Sequence, residues 1–192
     1  MMSRSSIRNV LVIAVTTVVI LAVVVLVQQP WKSSESDPSS ITTVDVGSNS
    51  DHPAPAVGVE ATDFTATTVT GDTVTLSELR GKPVWLVFGA TWCTNCRSEA
   101  PDVQAVADAY AGKITVVTIY VGEASSTVKG YVDRLKLSGP QIADTSNAIS
   151  SAYDILGIPA HFFIDSNGVI QQIAVGSLTK QSASDIVARL VG

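Results

Sequence analysis

The chain is short of the residues that staple small folds or hold metals. It has two cysteines, two histidines and two methionines in 192 residues. Two cysteines separated by two residues close a loop too small to constrain an unfolded chain much, which excludes a disulfide-stapled scaffold. A structural zinc site needs four ligands, and the whole supply is Cys93, Cys96, His161 and His52, the last in a polar stretch away from the others. Long charge runs are missing too. The net charge is −5, and from residue 58 onward nine Lys and Arg stand against thirteen Asp and Glu with no block of either sign. That leaves no electrostatic footprint for nucleic acid. There is no internal repeat.

One long apolar run is present. Residues 10–27 read VLVIAVTTVVILAVVVLV, eighteen uncharged residues, which as a helix at about 1.5 Å per residue would match the hydrocarbon thickness of a bilayer. Arg4 and Arg8 precede the run, and only Lys32 follows closely. This bias predicts a cytoplasmic N-terminus (1–9), a transmembrane anchor (10–27) and a catalytic domain on the extracytoplasmic side of the cell membrane. A cleaved secretory signal is the alternative, but such a core is normally shorter and QQPWKSS carries no small-x-small cleavage site. Residues 28–57 are rich in Ser, Pro, Asp and Asn without an apolar period and read as a flexible linker. His52 lies there as a solvated side chain. The remaining 58–192 suit one domain able to bury its own core.

Within that domain, two β-branched runs, 63–68 and 73–76, flank the turn signal Gly71-Asp72 and predict a hairpin or a pair of edge strands. PVWLVF at 83–88 is apolar throughout, as a central strand is when both sheet faces are covered. Residues 94–110 read as a helix with Pro101 inside it as a kink, 113–121 as a second buried strand and 125–137 as a second helix. A short strand and a helix around 147–153 lead to strands at 160–165 and 169–175 on either side of Ser166-Asn167-Gly168, and a helix over 179–191 closes the chain. The order implies a mixed α/β sheet with helices on both faces.

The chemistry concentrates in VFGATWCTNCRSEAP. Cys93 falls where a buried strand ends and a helix begins, so unpaired backbone N–H groups and the helix dipole can stabilise a thiolate. That makes it the expected nucleophile, an exposed and acidified sulfur. Cys96, one turn on, can attack a mixed disulfide at Cys93 and release the product, the part of a resolving thiol. An inert disulfide is the bland alternative, but so short a loop brings little stability.

Four segments in order, ATDFTATTVTGDTVTLSELRGKPV, ATWCTNCRSEAP, VGEASSTVKGYV and YDILGIPAHFFIDSNGVI, resemble the TlpA/ResA-like membrane-anchored thioredoxins over residues 58–192. The resemblance implies a thioredoxin fold with extra N-terminal β-strands and thiol-disulfide oxidoreductase activity without a cofactor or metal. It implies that Pro159 is a cis-proline facing the disulfide, with the Ile158 backbone free to pair with an extended substrate strand; an ordinary trans proline opening a strand is the other reading. Trp92 belongs to the apolar surface around the nucleophile, or simply packs well. The counterpart of Glu99 assists proton transfer at the resolving cysteine, and a carboxylate partly desolvated beside a thiol could serve as base, against the reading of a solvated helix glutamate. Val87 stands where ordinary thioredoxins keep a buried aspartate, which favours Glu99. Gly89 replaces a tryptophan common in the family. Glu123 either lines the substrate groove or is a loop carboxylate. His161 is expected in a strand.

The partners implied are exported proteins with cysteine pairs and a membrane thiol electron donor, with reduction of apocytochrome c cysteines as one task. Oxidative disulfide formation keeps the same residues in the same roles, because exchange is reversible. Two other classes compete. A copper-handling protein would hold Cu(I) with both thiolates and His161, and a peroxiredoxin-like peroxidase would share the fold but not the Cys-x-x-Cys arrangement.

Overall fold

The computed structural model describes Leu21, residues 44–46 and residues 54–192. The chain divides into two compact units, Met1–Ser39 and Ser40–Gly192. The first is described at Leu21 alone, and every element below belongs to the second.

In chain order these are β1 (Val44–Asp45), β2 (Thr65–Thr67), β3 (Thr73–Thr75), a 3-10 turn (Leu76–Leu79), β4 (Val84–Gly89), α1 (Thr94–Ala109), β5 (Thr115–Val121), α2 (Ser125–Leu135), β6 (Gln141–Asp144), α3 (Ala148–Ala152), β7 (Ala160–Ile164), β8 (Ile170–Val175) and α4 (Lys180–Val191). The continuous apolar run around PVWLVF becomes β4, buried at every position. It is the central strand of a five-stranded sheet ordered β6-β5-β4-β7-β8. β4, β5 and β6 run parallel, whereas β7 is antiparallel to both β4 and β8. Parallel neighbours need long crossovers, which α1 and α2 supply, while β7 and β8 need only the tight turn at 166–168. There Gly168 takes φ 91°, a left-handed conformation that suits glycine.

The expected hairpin forms as β2 and β3, and β1 adds a third strand to it through Val44↔Ala66 and Asp45↔Thr65. β1 comes from the stretch read as linker. Two residues cannot show a period, so its pairing is a backbone matter that the side-chain pattern does not announce.

Alternation along β4 divides the core. Val84, Leu86 and Phe88 point into one cluster with Phe64, Ile119, Tyr153 and Phe162. Trp85 and Val87 point to the opposite face, among Val106, Phe163, Ile186 and Val187 under α1 and α4.

The expected location is corrected. Among the described residues no helix is long and apolar enough to cross a membrane, which overturns the single-pass placement with an extracytoplasmic catalytic domain. The longest helix described, α1, has 16 residues and belongs to the folded domain. At about 1.5 Å per residue it falls short of a bilayer core. The segments 1–9 and 10–27 that suggested an anchor lie outside the described residues except for Leu21, as does most of 28–57.

Candidate functional site

The site grows from the carboxyl end of β4. After Gly89 the chain leaves the sheet, turns through residues 90–92 and enters α1 with Cys93 as its N-cap, in an extended conformation (φ −73°, ψ 117°). The Cys93 sulfur accepts a hydrogen bond from the Cys96 N–H at 3.2 Å, and the Cys93 carbonyl accepts from Arg97 N–H at 3.0 Å. No carboxylate stands in the first turn of α1. The positive end of the helix is thus uncompensated beside this sulfur, which favours a thiolate there when the bond is reduced. Cys93 and Cys96 form a disulfide, with Cα atoms 5.3 Å apart.

Exposure differs from expectation. Cys93 is only 8% exposed, while Cys96 is half-buried. Gly89, with no side chain, leaves space beside Cys96. A side chain at 89 would place its Cβ 3.4 Å from Cys96 Cβ and 3.5 Å from Cys96 Sγ. The missing side chain therefore opens a cleft between α1 and the sheet, where Cys96, Glu99 and Gly89 meet Thr118, Tyr120 and Tyr131. Burial, with Tyr131 and Glu123 adding to it, pushes the Tyr120 hydroxyl well above the ordinary tyrosine range. It stays a neutral donor to Gln141 Oε1 at 2.9 Å.

Glu99 is buried, not solvated, at 5% exposure. Its Oε1 accepts from Leu178 N–H at 3.3 Å and lies 3.1 Å from His161 Nε2. That second approach is close without hydrogen-bond alignment. Glu99 Oε2 and His161 Nε2 are the buried side-chain polar atoms, among the described residues, that lack a hydrogen-bond partner. His161 itself is fully buried in β7, opposite Val87 across the β4–β7 pairing. Its Nδ1 accepts from the Trp85 indole N–H at 3.3 Å. With one ring nitrogen held by Trp85 and the other turned toward Glu99, the imidazole is not placed to join both sulfurs around Cu(I). The sequence left this partnership unseen. It depends on the register that sets His161 opposite Val87, which no sequence pattern announces.

The Ile158–Pro159 peptide is cis. Since Ala160 pairs with Phe88, Pro159 sits at the end of the sheet from which the cysteine loop leaves. Pro159 is buried and Ile158 half-buried. Trp92, Leu156 and Val175 are largely exposed, and Val175 pairs with Ala160. Glu123, just beyond β5, is a loop carboxylate and not an open groove residue: it accepts from Thr91 N–H at 2.6 Å and Thr91 Oγ1 at 2.5 Å, tying down the segment that leads into Cys93.

The chain matches the family model described as AhpC/TSA family over residues 57–173. It is 35% identical over 129 residues to a thiol-disulfide oxidoreductase ResA of Geobacillus kaustophilus (strain HTA426), covering 67% of this chain and 74% of that protein. It is also 35% identical over 127 residues, 65% of this chain and 74% of the other, to the thioredoxin-like protein YneN of Bacillus subtilis (strain 168). Among solved structures, the thiol:disulfide interchange protein of Chlorobium tepidum TLS superposes with a TM-score of 0.63 at 32% identity, over 73% of this chain and 98% of that one. With a disulfide that joins a helix N-cap to the helix's first turn at the end of its central strand, the chain belongs to the AhpC/TSA, thioredoxin-like family as a thiol-disulfide oxidoreductase of the ResA type.

Proposed function

We propose that the protein exchanges disulfides with protein substrates carrying cysteine pairs, with Cys93 as the attacking thiolate, Cys96 as the resolving thiol and Glu99 as the base that takes the proton of Cys96. The observation that carries this reading is the arrangement at one helix start. Cys93 is the N-cap with an uncompensated dipole and a Cys96 N–H on its sulfur. Cys96 and a buried carboxylate with one free oxygen line the same cleft. A desolvated carboxylate beside a thiol is suited to proton transfer.

Substrate contact falls to the apolar surface of Trp92, Leu156 and Val175 and to the Ile158 backbone beside Pro159, where an extended segment can add its main-chain hydrogen bonds. Resemblance to the ResA-like proteins supports a reductive direction, with apocytochrome c cysteines as one substrate and a thiol donor restoring the dithiol. The residues take the same parts in either direction, and the reduction potential of the Cys93–Cys96 pair against its partners decides.

The test is a trap. Cys96→Ser should accumulate proteins disulfide-linked to Cys93 when produced in its host, and their identity names the substrate class. No adducts, with Cys93 titrating as a free thiol, would overturn the exchange mechanism.

A further inference from the structure

We propose that His161 is a positioning residue for the proton-transfer step, holding the Glu99 carboxylate by one oxygen so that the other faces Cys96. This rests on the reading of Glu99 as the base above.

The logic begins at Trp85. An indole N–H can only donate, so the 3.3 Å contact with His161 requires Nδ1 to accept, and the single ring proton sits on Nε2. Phe163 stacks on Trp85 at 5.1 Å between ring centroids, fixing the plane of the indole. Trp85 and His161 are themselves fully buried. The proton-bearing Nε2 is turned toward Glu99 Oε1, 3.1 Å away, and Leu178 N–H donates to the same oxygen. One hydrogen bond, from the segment before α4, and one close approach from β7, off the line of a hydrogen bond, thus converge on Oε1. Oε2 is left free, on a side chain that shares its cleft with Cys96.

A buried carboxylate with an unpaired oxygen is costly to keep, and a structure that keeps one calls for a use. The use follows from the geometry. In the resolving step the Cys96 thiol gives its proton to Glu99 Oε2, and the resulting thiolate attacks Cys93 Sγ of the mixed disulfide. The Cys93–Cys96 bond forms and the bond from Cys93 to the substrate sulfur breaks. That sulfur leaves with the electron pair and takes a proton from water, so the enzyme dithiol is oxidised and the substrate disulfide reduced. His161 keeps its proton throughout. The pairing also explains Val87: with His161 directly across the strand pair, the position under the disulfide needs no acid of its own.

The experiment separates the two cysteine steps. Reduced protein is mixed with 5,5′-dithiobis(2-nitrobenzoate), and the release of the first and second thionitrobenzoate is followed by stopped flow. The first reports attack by Cys93, the second resolution by Cys96. His161→Leu should slow the second release by about tenfold or more and leave the first within about threefold, whereas His161→Gln, which keeps an N–H to offer Oε1, should recover most of the rate. Glu99→Gln should slow the second release at least as much. If Glu99→Gln leaves it unchanged, the base reading fails. If Glu99→Gln slows it and His161→Leu does not, the positioning role alone fails. Ring ¹⁵N spectra of the wild-type protein decide the matter even where a variant does not fold: an Nε2-protonated His161 with Nδ1 as acceptor is expected, and an Nδ1-protonated ring would overturn the proposal.

Discussion

The two faces of β4 are built on opposite terms. On one, Val84, Leu86 and Phe88 close against Phe64, Ile119, Tyr153 and Phe162, and the polar groups admitted there are satisfied, as when the Tyr153 hydroxyl donates to Thr62 O at 2.7 Å. On the other, Trp85 and Val87 share their face with His161 and the buried Glu99, whose Nε2 and Oε2 lack hydrogen-bond partners. Gly89 leaves a gap beside a sulfur on that same face. One strand therefore carries a face optimised for packing and a face that gives up packing for chemistry, as expected where function competes with stability.

The largest effect should come from damaging the closed face. Phe88→Ala removes a fully buried ring that contacts Tyr153 and Phe162 edge-on or tilted, and should cost about 3–5 kcal/mol in denaturant unfolding of the oxidised protein. A loss under about 1 kcal/mol would show that the closed face is not the main support of the domain.

The opposite face should respond in the opposite sense. Replacing a buried ionisable pair by apolar residues of similar size is often neutral or stabilising by about 1–4 kcal/mol, while removing one partner alone is costly. The double variant Glu99→Leu/His161→Leu should accordingly unfold at equal or higher denaturant than the wild type yet lose disulfide exchange. Marked destabilisation of the double variant would mean that the pair is a structural support, and the contrast between the faces would then disappear.

That contrast also marks what the sequence could show. Strand β4 was legible because an apolar run longer than any period demands cover on both sides, and Cys93 because it stands where that strand gives way to a helix. The hairpin of β2 and β3 was legible from Gly71-Asp72. Cis geometry at Pro159 came from resemblance, since spacing alone left it even with trans. The partnership of His161 and Glu99 was not legible, because it depends on the register between β4 and β7, strands more than seventy residues apart. Nor was the exposure of Cys96 over Cys93, which is set by the shape of the gap at Gly89 and not by either cysteine's neighbours. β1 was hidden for the simplest reason, its two residues forming strand only through what they pair with.

The smallest effect concerns the satisfied polar group on the closed face. Burial, and to a lesser degree the charge of Asp63, pushes the Tyr153 hydroxyl far above the ordinary value of 10.0, so the folded protein keeps this proton where the unfolded chain gives it up. Its contribution to stability is complete below pH 10 and is lost as the pH climbs above that, by at most about 1.4 kcal/mol per pH unit for one group. Tyr120, raised for the same first cause, adds to the same limb. Tyr153→Phe should therefore cost about 1 kcal/mol at pH 7, for the lost hydrogen bond to Thr62. It should also make the fall in stability between pH 10 and 11 shallower than in the wild type. Denaturant midpoints at pH 7, 10 and 11 measure both effects. Parallel alkaline limbs for the two proteins would mean that Tyr153 ionises as readily folded as unfolded, and that the closed face admits water after all.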